Sequence, residues 1–319
     1  ATAASAGAGS SISMDNVRLD AQKSTAIETL GAPLDLNLQN GTQVTGGNGI
    51  LLDSLAGNTT DPLYSGNVSL KATGDVVLTG DIRTSTANLV DVALAKNSSL
   101  TGKISAIRSL SLDSSSLWNM TGDSSFGNLS QDGIVNFTHT GSAFSTLTLD
   151  NLSGKGGFNM NTDLASMVGD LIVVKGDTSG SHALDIVNSG REPVQDNRAL
   201  TVVATQGGDA QFTLNGGAVD AGTYEYGLEH RGNDWVLAQK QSSPPSPDPN
   251  PAPKPDPTPK PEPKPVSNPI LTPTAKSALN MFNALPAAWY GELSTLRQRM
   301  GEVRESYGSG GAWIRLIGN

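Results

Sequence analysis

Short apolar runs that recur at a nearly constant interval are the feature that most limits how this chain can fold. Thr-Gly pairs begin at Thr79, Thr101, Thr121 and Thr140, which gives intervals of 22, 20 and 19 residues. A repeat of about 20 residues that holds several short strands is typical of one coil of a β-solenoid. Each coil buries its apolar face only by stacking on its neighbours, so a narrow continuous core can form from few hydrophobic residues. The alternative is that Thr-Gly pairs in a Gly-rich chain fall at these intervals by chance.

Strand-like alternation fills the first 241 residues. Apolar residues alternate with small polar ones, and Asn-Gly, Thr-Gly and Gly-Gly pairs separate the runs as turn signals. The clearest runs are 76–78, 88–92, 109–112 and 144–149. We therefore predict an all-β region, with β-helix coils over residues 1–150.

Composition and charge exclude several classes of protein. The chain has 319 residues, no Cys and a net charge of −9. The missing Cys excludes a disulfide scaffold, a thiolate metal site and a Cys nucleophile, and the negative charge argues against nucleic acid as a partner. No run approaches the ~20 apolar residues of a membrane helix. The first ten residues lack the features of a signal peptide, so we expect either no export or a chain that begins after a removed piece.

Residues 151–241 depart from the repeat and predict a C-terminal cap. The runs here are longer and more apolar, and Asn215-Gly216-Gly217 and 231–234 have the turn chemistry of hairpins. A stacked solenoid needs an end that covers its core and stops further strand pairing. Large aromatic side chains concentrate in this segment, and we interpret them as the cap and folding nucleus rather than as a ligand platform: Phe212, Tyr224, Tyr226 and Trp235.

Residues 242–319 change character twice. From Pro244 to Pro265, twelve of 22 residues are proline, which predicts an extended polyproline II linker over 242–271. At roughly 3 Å per residue it could reach on the order of 65 Å. Thr272 and Pro273 then form a helix start, and apolar residues at helical spacing predict a helix over 272–307. The Gly-rich residues 308–311 end this helix, and residues 312–317 alternate like a new strand, so we assign 308–319 to the start of a further β-region.

Catalytic and metal-binding patterns are weak. Gly122-Asp123-Ser124-Ser125 has Ser125 where a serine-protease motif needs glycine, so we interpret it as a turn. The three histidines, His139, His182 and His230, share no metal-ligand spacing and are interpreted as surface or turn residues. Residues 46–49 lack the lysine of a phosphate loop and are also interpreted as a turn. We predict neither an enzyme nor a cofactor or metal site.

The order of these segments resembles an autotransporter of the pertactin type. The resemblance covers roughly residues 144–319. Residues 1 to about 140 share only the general character of such chains and none of the matching motifs. It is carried by 179–184, 188–193, 212–214, 219–226, Trp235, Trp289-Tyr290, 296–302 and 310–313.

The resemblance implies a right-handed parallel β-helix passenger on a Gram-negative cell surface, secreted if cleaved, with residues 151–241 acting as an autochaperone. It implies that the helix occupies the pore of the protein's own outer-membrane barrel, through Trp289, Leu293, Leu296, Arg297, Arg299 and Met300. It also implies that the barrel begins at Gly310, Gly311, Ala312 and Trp313, so that most of the barrel lies outside this fragment. An Asn-Asn cleavage pair of some relatives is not matched, because Asn280 and Asn283 are separated by two residues.

Three functions remain open at this point. The first is a stalk and folding segment of a surface adhesin or virulence factor, with the barrel-assembly machinery and periplasmic chaperones as export partners. The second is a module in which residues 1–150 bind a host-cell receptor or matrix. The third is the stalk of an enzyme whose catalytic part lies outside this chain.

Overall fold

The computed structural model describes residues 9–56, 66–85, 88–138, 143–241 and 269–282. These contain 24 strands and one helix, α1, over residues 273–282. The strands are β1 (Ser10–Asp15), β2 (Arg18–Ala21), β3 (Ile27–Leu30), β4 (Leu34–Gln39), β5 (Gln43–Leu55), β6 (Val68–Thr73), β7 (Val77–Thr84), β8 (Val90–Ala95), β9 (Ser99–Thr101), β10 (Ile104–Ser105), β11 (Ser109–Leu112), β12 (Leu117–Met120), β13 (Ser124–Gln131), β14 (Ile134–Phe137), β15 (Thr146–Gly154), β16 (Gly157–Asp163), β17 (Val168–Gly169), β18 (Leu171–Val174), β19 (Ser181–Asn188), β20 (Ala199–Thr205), β21 (Gln211–Leu214), β22 (Val219–Ala221), β23 (Tyr224–Arg231) and β24 (Asp234–Gln239).

Parallel pairing arranges these strands in three columns, each of which forms one face of a β-helix. The first column runs β1–β4–β6–β8–β11 and continues through the second halves of β13 and β15. The second runs β2–β5–β7–β9–β12–β14–β16–β19–β21. The third runs β3–β5–β7–β10–β13–β15–β18–β20. The predicted β-helix is confirmed.

The core lies where the inward residues of successive coils stack. In the second column, Leu78, Leu100, Trp118, Val135 and Phe158 occupy one register position, and all five are fully buried. Alternation along each strand sends their neighbours outward, because successive side chains in a strand point to opposite faces. Stacked rows of aliphatic and aromatic side chains therefore fill the interior, and the first column supplies three of them, which include Leu34, Leu36 and Leu38.

The coils vary in length more than the Thr-Gly spacing predicts. In the first column the interval is 34 residues between Leu34 and Val68, but only 18 between Asp91 and Ser109. Thr79 pairs with Thr101 as expected, whereas Thr101 pairs with Asn119 rather than with Thr121. The interval of 20 residues between Thr101 and Thr121 therefore does not correspond to the register of neighbouring coils. The ladder tolerates such changes because extra residues leave the coil at its corners.

The glycine run at residues 46–49 lies inside β5 and not in a separate turn. The register of β5 against β7 shifts between Thr45 and Ile50, so the strand bends there while it passes from one face to the next. A Cβ at Gly46 would lie 1.9 Å from the carbonyl oxygen of Ile50. Glycine is needed at this corner because the backbone folds closely against itself.

Both ends of the proline segment lie on the same part of the molecule. Gln241 forms an isolated antiparallel bridge with Pro269, and Tyr224 forms another with Leu271. The two ends of the predicted linker are therefore bonded close to each other, and its extended conformation stays a prediction. Residues 242–268 lie outside the described residues. Helix α1, which begins at Pro273, belongs to a second compact unit.

Candidate functional site

A ladder of five aromatic rings connects the last coils to the end of the β-helix. We call it the aromatic ladder, and it consists of Phe158, His182, Phe212, Trp235 and His230. The ring centroids lie 5.8 Å apart for Phe158–His182, 5.3 Å for His182–Phe212, 5.6 Å for Phe212–Trp235 and 4.5 Å for Trp235–His230. Pairs at such distances contribute about 0.5–1.5 kcal/mol each beyond the burial of their surface. The ladder therefore joins strands that are far apart in sequence into one packed unit.

The parallel stacking of strands ends at this ladder. We call β22, β23 and β24 the antiparallel cap. Strand β20 pairs in parallel with β18 on one side and antiparallel with β24 on the other. Strand β24 pairs with β23 through the tight turn at Gly232, whose φ of +64° favours glycine. The cap thus occupies an edge that would otherwise accept another coil, which is how folded sheets avoid open-ended pairing.

The four predicted cap residues lie close to the core. Phe212 and Tyr226 are buried, at 3% and 1% exposure, while Tyr224 and Trp235 are partly buried and pack against the core cluster. Burial raises the pKa of the Tyr226 hydroxyl above its usual value. Tyr224, Tyr226 and Trp235 lie in two hairpins, one at Gly222 and one at Gly232. The predicted turn at Asn215 instead joins β21 to β22, and β21 pairs in parallel with β19.

His182 is the residue whose position sequence reasoning missed. The interpretation of this histidine as a surface or turn residue is wrong, because the residue is 1% exposed and its ring packs at a tilt between two phenylalanine rings. Its Nε2 lies 3.1 Å from the carbonyl oxygen of Ser179, and its buried Nδ1 has no hydrogen-bond partner. Burial lowers the pKa of the imidazole below 6.5, although the Ser179 carbonyl and the charge of Asp132 act in the opposite direction.

The other two predicted histidines take different places. His230 is exposed and stacks on Trp235 at the outer end of the aromatic ladder. His139 lies outside the described residues, as do the predicted pore-helix residues from Trp289 to Met300 and the predicted barrel start at 310–313. Among the described residues, no group of three or more His, Asp or Glu side chains could hold a metal ion. Likewise, no helix in the described ranges combines the length and apolarity needed to cross a membrane.

The serine of the Gly-Asp-Ser-Ser motif is engaged in the coil architecture. Ser124 begins β13 and is 3% exposed. Its Oγ accepts a hydrogen bond from the Ile104 amide at 3.1 Å and donates one to the Gly122 carbonyl at 3.2 Å. The hydroxyl therefore joins two neighbouring coils at a corner.

Comparison with known proteins identifies the type of chain. A family model described as Pertactin matches residues 127–239. Autotransporter CRAC of Citrobacter rodentium is 40% identical over 69% of this chain and 14% of its own length. The adhesin/invasin autotransporter TibA of Escherichia coli is 47% identical over 43% of this chain and 14% of its own. The pertactin autotransporter of Bordetella bronchiseptica is 37% identical over 71% of this chain and 27% of its own.

A structure search also returns the crystal structure of the Haemophilus influenzae Hap adhesin. The TM-score is 0.40 at 23% identity, covering 72% of this chain and 24% of that chain. The chain spans less than a third of the length of each of the three curated relatives. It belongs to the passengers of pertactin-type autotransporters, which Gram-negative bacteria carry at the outer membrane and cell surface or secrete.

Proposed function

We propose that this segment is the stalk of a surface adhesin or virulence factor and that its aromatic ladder and antiparallel cap nucleate the folding of the passenger. The observation that carries the proposal is the continuity of the ladder, which runs from Phe158 in a parallel coil to Trp235 in the cap. In a solenoid each coil contacts only its neighbours, so growth needs one end that is stable by itself. The β23–β24 hairpin supplies local contacts that form early, because short loops cost little entropy to close.

The direction of growth follows from the same geometry. The cap covers the outer edge of β20 at the end of the third column, and the opposite edge of each column faces the N-terminal side, where the preceding coil can pair. If the C-terminal end of the passenger leaves the membrane first, each later coil meets a finished template. Folding outside the membrane would then bias the chain outward without any other energy source. The negative charge of −11 over residues 1–241 would keep the unfolded chain from collapsing.

Refolding kinetics of two tryptophan variants test the proposal. Trp235→Ala removes a ring of the aromatic ladder, whereas Trp118→Ala removes a fully buried ring from a central coil. If the cap forms in the transition state, a loss of about 2 kcal/mol at Trp235 slows refolding by up to about 30-fold. Trp118→Ala, with a loss of about 3–5 kcal/mol, mainly speeds unfolding. If Trp235→Ala, like Trp118→Ala, changed only the unfolding rate and left the refolding rate unaltered, nucleation at the cap would be refuted.

The export partners and the adhesive role belong to the same proposal. We expect the chain to use the barrel of its own polypeptide, the barrel-assembly machinery and periplasmic chaperones in transit. Its outward faces over residues 1–150 are the expected contact with a host-cell receptor or matrix, and TibA is itself named an adhesin/invasin. Binding of the purified chain to epithelial cells, lost when side chains on these faces are replaced without unfolding, would support adhesion. No binding at any concentration tested would refute it.

We further propose that the segment acts without catalysis. The hydroxyl of Ser124, the one candidate nucleophile singled out by its motif, is buried and bonded to main-chain groups of two coils. A serine-directed fluorophosphonate probe should therefore leave the chain unlabelled. Labelling that disappears in Ser124→Ala would contradict this part of the proposal.

A further inference from the structure

The hairpin of β23 and β24 is interrupted at its open end by a third segment. Tyr226 faces Gln239 in the antiparallel register, and two residues further along Tyr224 would face Gln241. Instead, each of these last two residues bridges to residues 269–272, which we call the strap. The strap is reached only after the 27 intervening residues 242–268. The chain therefore returns to fill a position that direct pairing of the hairpin could occupy.

The centre of the strap is inserted into one hydrogen bond of the hairpin. Glu225 and Lys240 lie opposite each other, and the Lys240 amide donates to the Glu225 carbonyl at 2.8 Å. The reciprocal bond is replaced by two others. The Glu225 amide donates to the Ile270 carbonyl at 3.1 Å, and the Ile270 amide donates to the Lys240 carbonyl at 2.7 Å. If Ile270 left, the Glu225 amide could bond the Lys240 carbonyl directly, as in an ordinary antiparallel pair.

The end of the strap is fixed to the neighbouring hairpin. The Thr272 amide donates to the Thr223 carbonyl at 2.9 Å, and the Thr272 hydroxyl donates to the Gly222 carbonyl at 3.1 Å. Thr272 is only 2% exposed. These bonds place the residue that immediately precedes helix α1 on the turn between β22 and β23.

We propose that the strap is an exchangeable last strand of the antiparallel cap, and that its slot is an interaction surface for this one segment of the chain. The cap then has two states. In the docked state the strap is bonded to β23 and β24, with Ile270 inserted between Glu225 and Lys240. In the released state the Glu225–Lys240 pair closes directly, and residues 269–272 leave the cap.

The inference deepens the proposed folding role of the cap and rests on it for its biological consequence. In an export that begins at the C-terminal end, the strap and cap can join only when Thr272 and β22–β24 lie on the same side of the membrane. Docking would thus mark the stage at which the cap has fully emerged.

Cysteine trapping in the complete chain tests docking directly, since the native sequence contains no Cys. The Cα partners Gln241 and Pro269 form an antiparallel bridge, so their separation falls within the range a disulfide spans. Gln241→Cys with Pro269→Cys should cross-link rapidly under mild oxidation. Adding Ile270→Pro removes the amide that bonds Lys240, and we expect cross-linking at least tenfold slower. Adding the control Ile270→Val should leave the rate unchanged.

Hydrogen exchange distinguishes two outcomes of release. In Ile270→Pro the Glu225 amide should stay within threefold of its native exchange rate, because it re-pairs with Lys240. Thr272→Val, which removes the hydroxyl that bonds the Gly222 carbonyl, should slow the same cysteine cross-link by a smaller factor. The proposal is overturned if Ile270→Pro does not slow cross-linking, or if the Gln241→Cys, Pro269→Cys chain is folded, as shown by protease resistance, and yet does not cross-link. It is also overturned if the Glu225 amide of the Ile270→Pro variant exchanges at the rate of an unprotected amide. Both measurements are made on the purified chain without export. A negative result would therefore refute the exchangeable strap without bearing on the folding role of the cap, which the Trp235 variant tests separately.

Discussion

The buried imidazole of His182 should make the stability of the cap depend on pH in a way that one substitution removes. We choose His182→Phe, which keeps a planar ring between Phe158 and Phe212 and eliminates the unpartnered Nδ1. Loss of the bond to Ser179 costs about 0.5–1.5 kcal/mol, while removal of a buried unsatisfied atom gains about 1–3 kcal/mol. At pH 8 the variant should therefore match the native chain within about 1 kcal/mol or exceed it slightly.

The sign of the pH effect follows from the direction of the pKa shift. Burial lowers the pKa of folded His182 below 6.5, so between those two values the unfolded chain binds more protons than the folded one. Stability is then unaffected above pH 6.5 and declines as pH falls below it, by at most about 1.4 kcal/mol per pH unit. The decline stops once pH drops below the folded-state pKa. In His182→Phe this contribution is absent.

Urea unfolding followed by circular dichroism at pH 8, 7, 6 and 5 measures the effect. The difference in unfolding free energy between the native chain and His182→Phe should be flat from pH 8 to 7 and should shift in favour of the variant at pH 6 and 5. His230→Phe, which alters the exposed ring of the same ladder, is the control and should keep the native pH dependence. A difference that is constant across the whole range would refute the buried neutral imidazole.

Three further substitutions test the corners and the close contacts of the coils. Burial alone would raise the pKa of Asp113, but hydrogen bonds from the Lys96 amide and nearby serines outweigh it and lower this pKa to about 2. Asp113→Asn should therefore reduce the free energy of unfolding, measured in urea at pH 7, by about 1–2 kcal/mol. This reduction should vanish as pH falls from 3.8 through 2. Gly180→Ala should cost about 2–4 kcal/mol in thermal or urea unfolding, because φ is +94° and a Cβ would lie 1.9 Å from the Gly154 carbonyl, while Gly207→Ala, with no atom within 4 Å, should change little. Arg83→Met leaves the buried carboxylate of Asp53 without its partner and should lose about 1–3 kcal/mol, which the double variant with Asp53→Leu should largely restore.

The β-helix could be predicted from sequence because its signal is local. Strand β11 coincides with the predicted run at 109–112, and inward residues alternate as the pattern requires. The register could not be predicted from Thr-Gly spacing, since corners absorb extra residues without disturbing the ladder. Thr101 therefore pairs with Asn119 although a Thr-Gly pair lies two residues further on.

The position of His182 could have been predicted from the same alternation. In β19, His182 shares its parity with Leu184 and Ile186, and all three are buried. Residue type alone indicates a place nearer the surface for histidine, whereas its position in the alternation indicates the core. The alternation decides the outcome because turning His182 outward would also turn Leu184 and Ile186 outward, and would bring the residues between them, including Asp185, into the core.

The strap carried no comparable signal. Its partners Tyr224 and Gln241 lie tens of residues away, across a proline-rich segment that indicates an extended spacer. Two bridges and a few main-chain hydrogen bonds decide the outcome, and such bonds depend on backbone placement rather than on side-chain type. The predicted functions of the pore-helix and barrel residues stay predictions.

Pulse-labelling hydrogen exchange during refolding tests the central claim most directly, because it reports when each strand becomes protected. If the cap nucleates the passenger, amides of β19–β24 gain protection first, those of β12–β16 next, and those of β1–β5 last. Protection that arises first in β4–β8, or in all columns at one rate, would contradict the account.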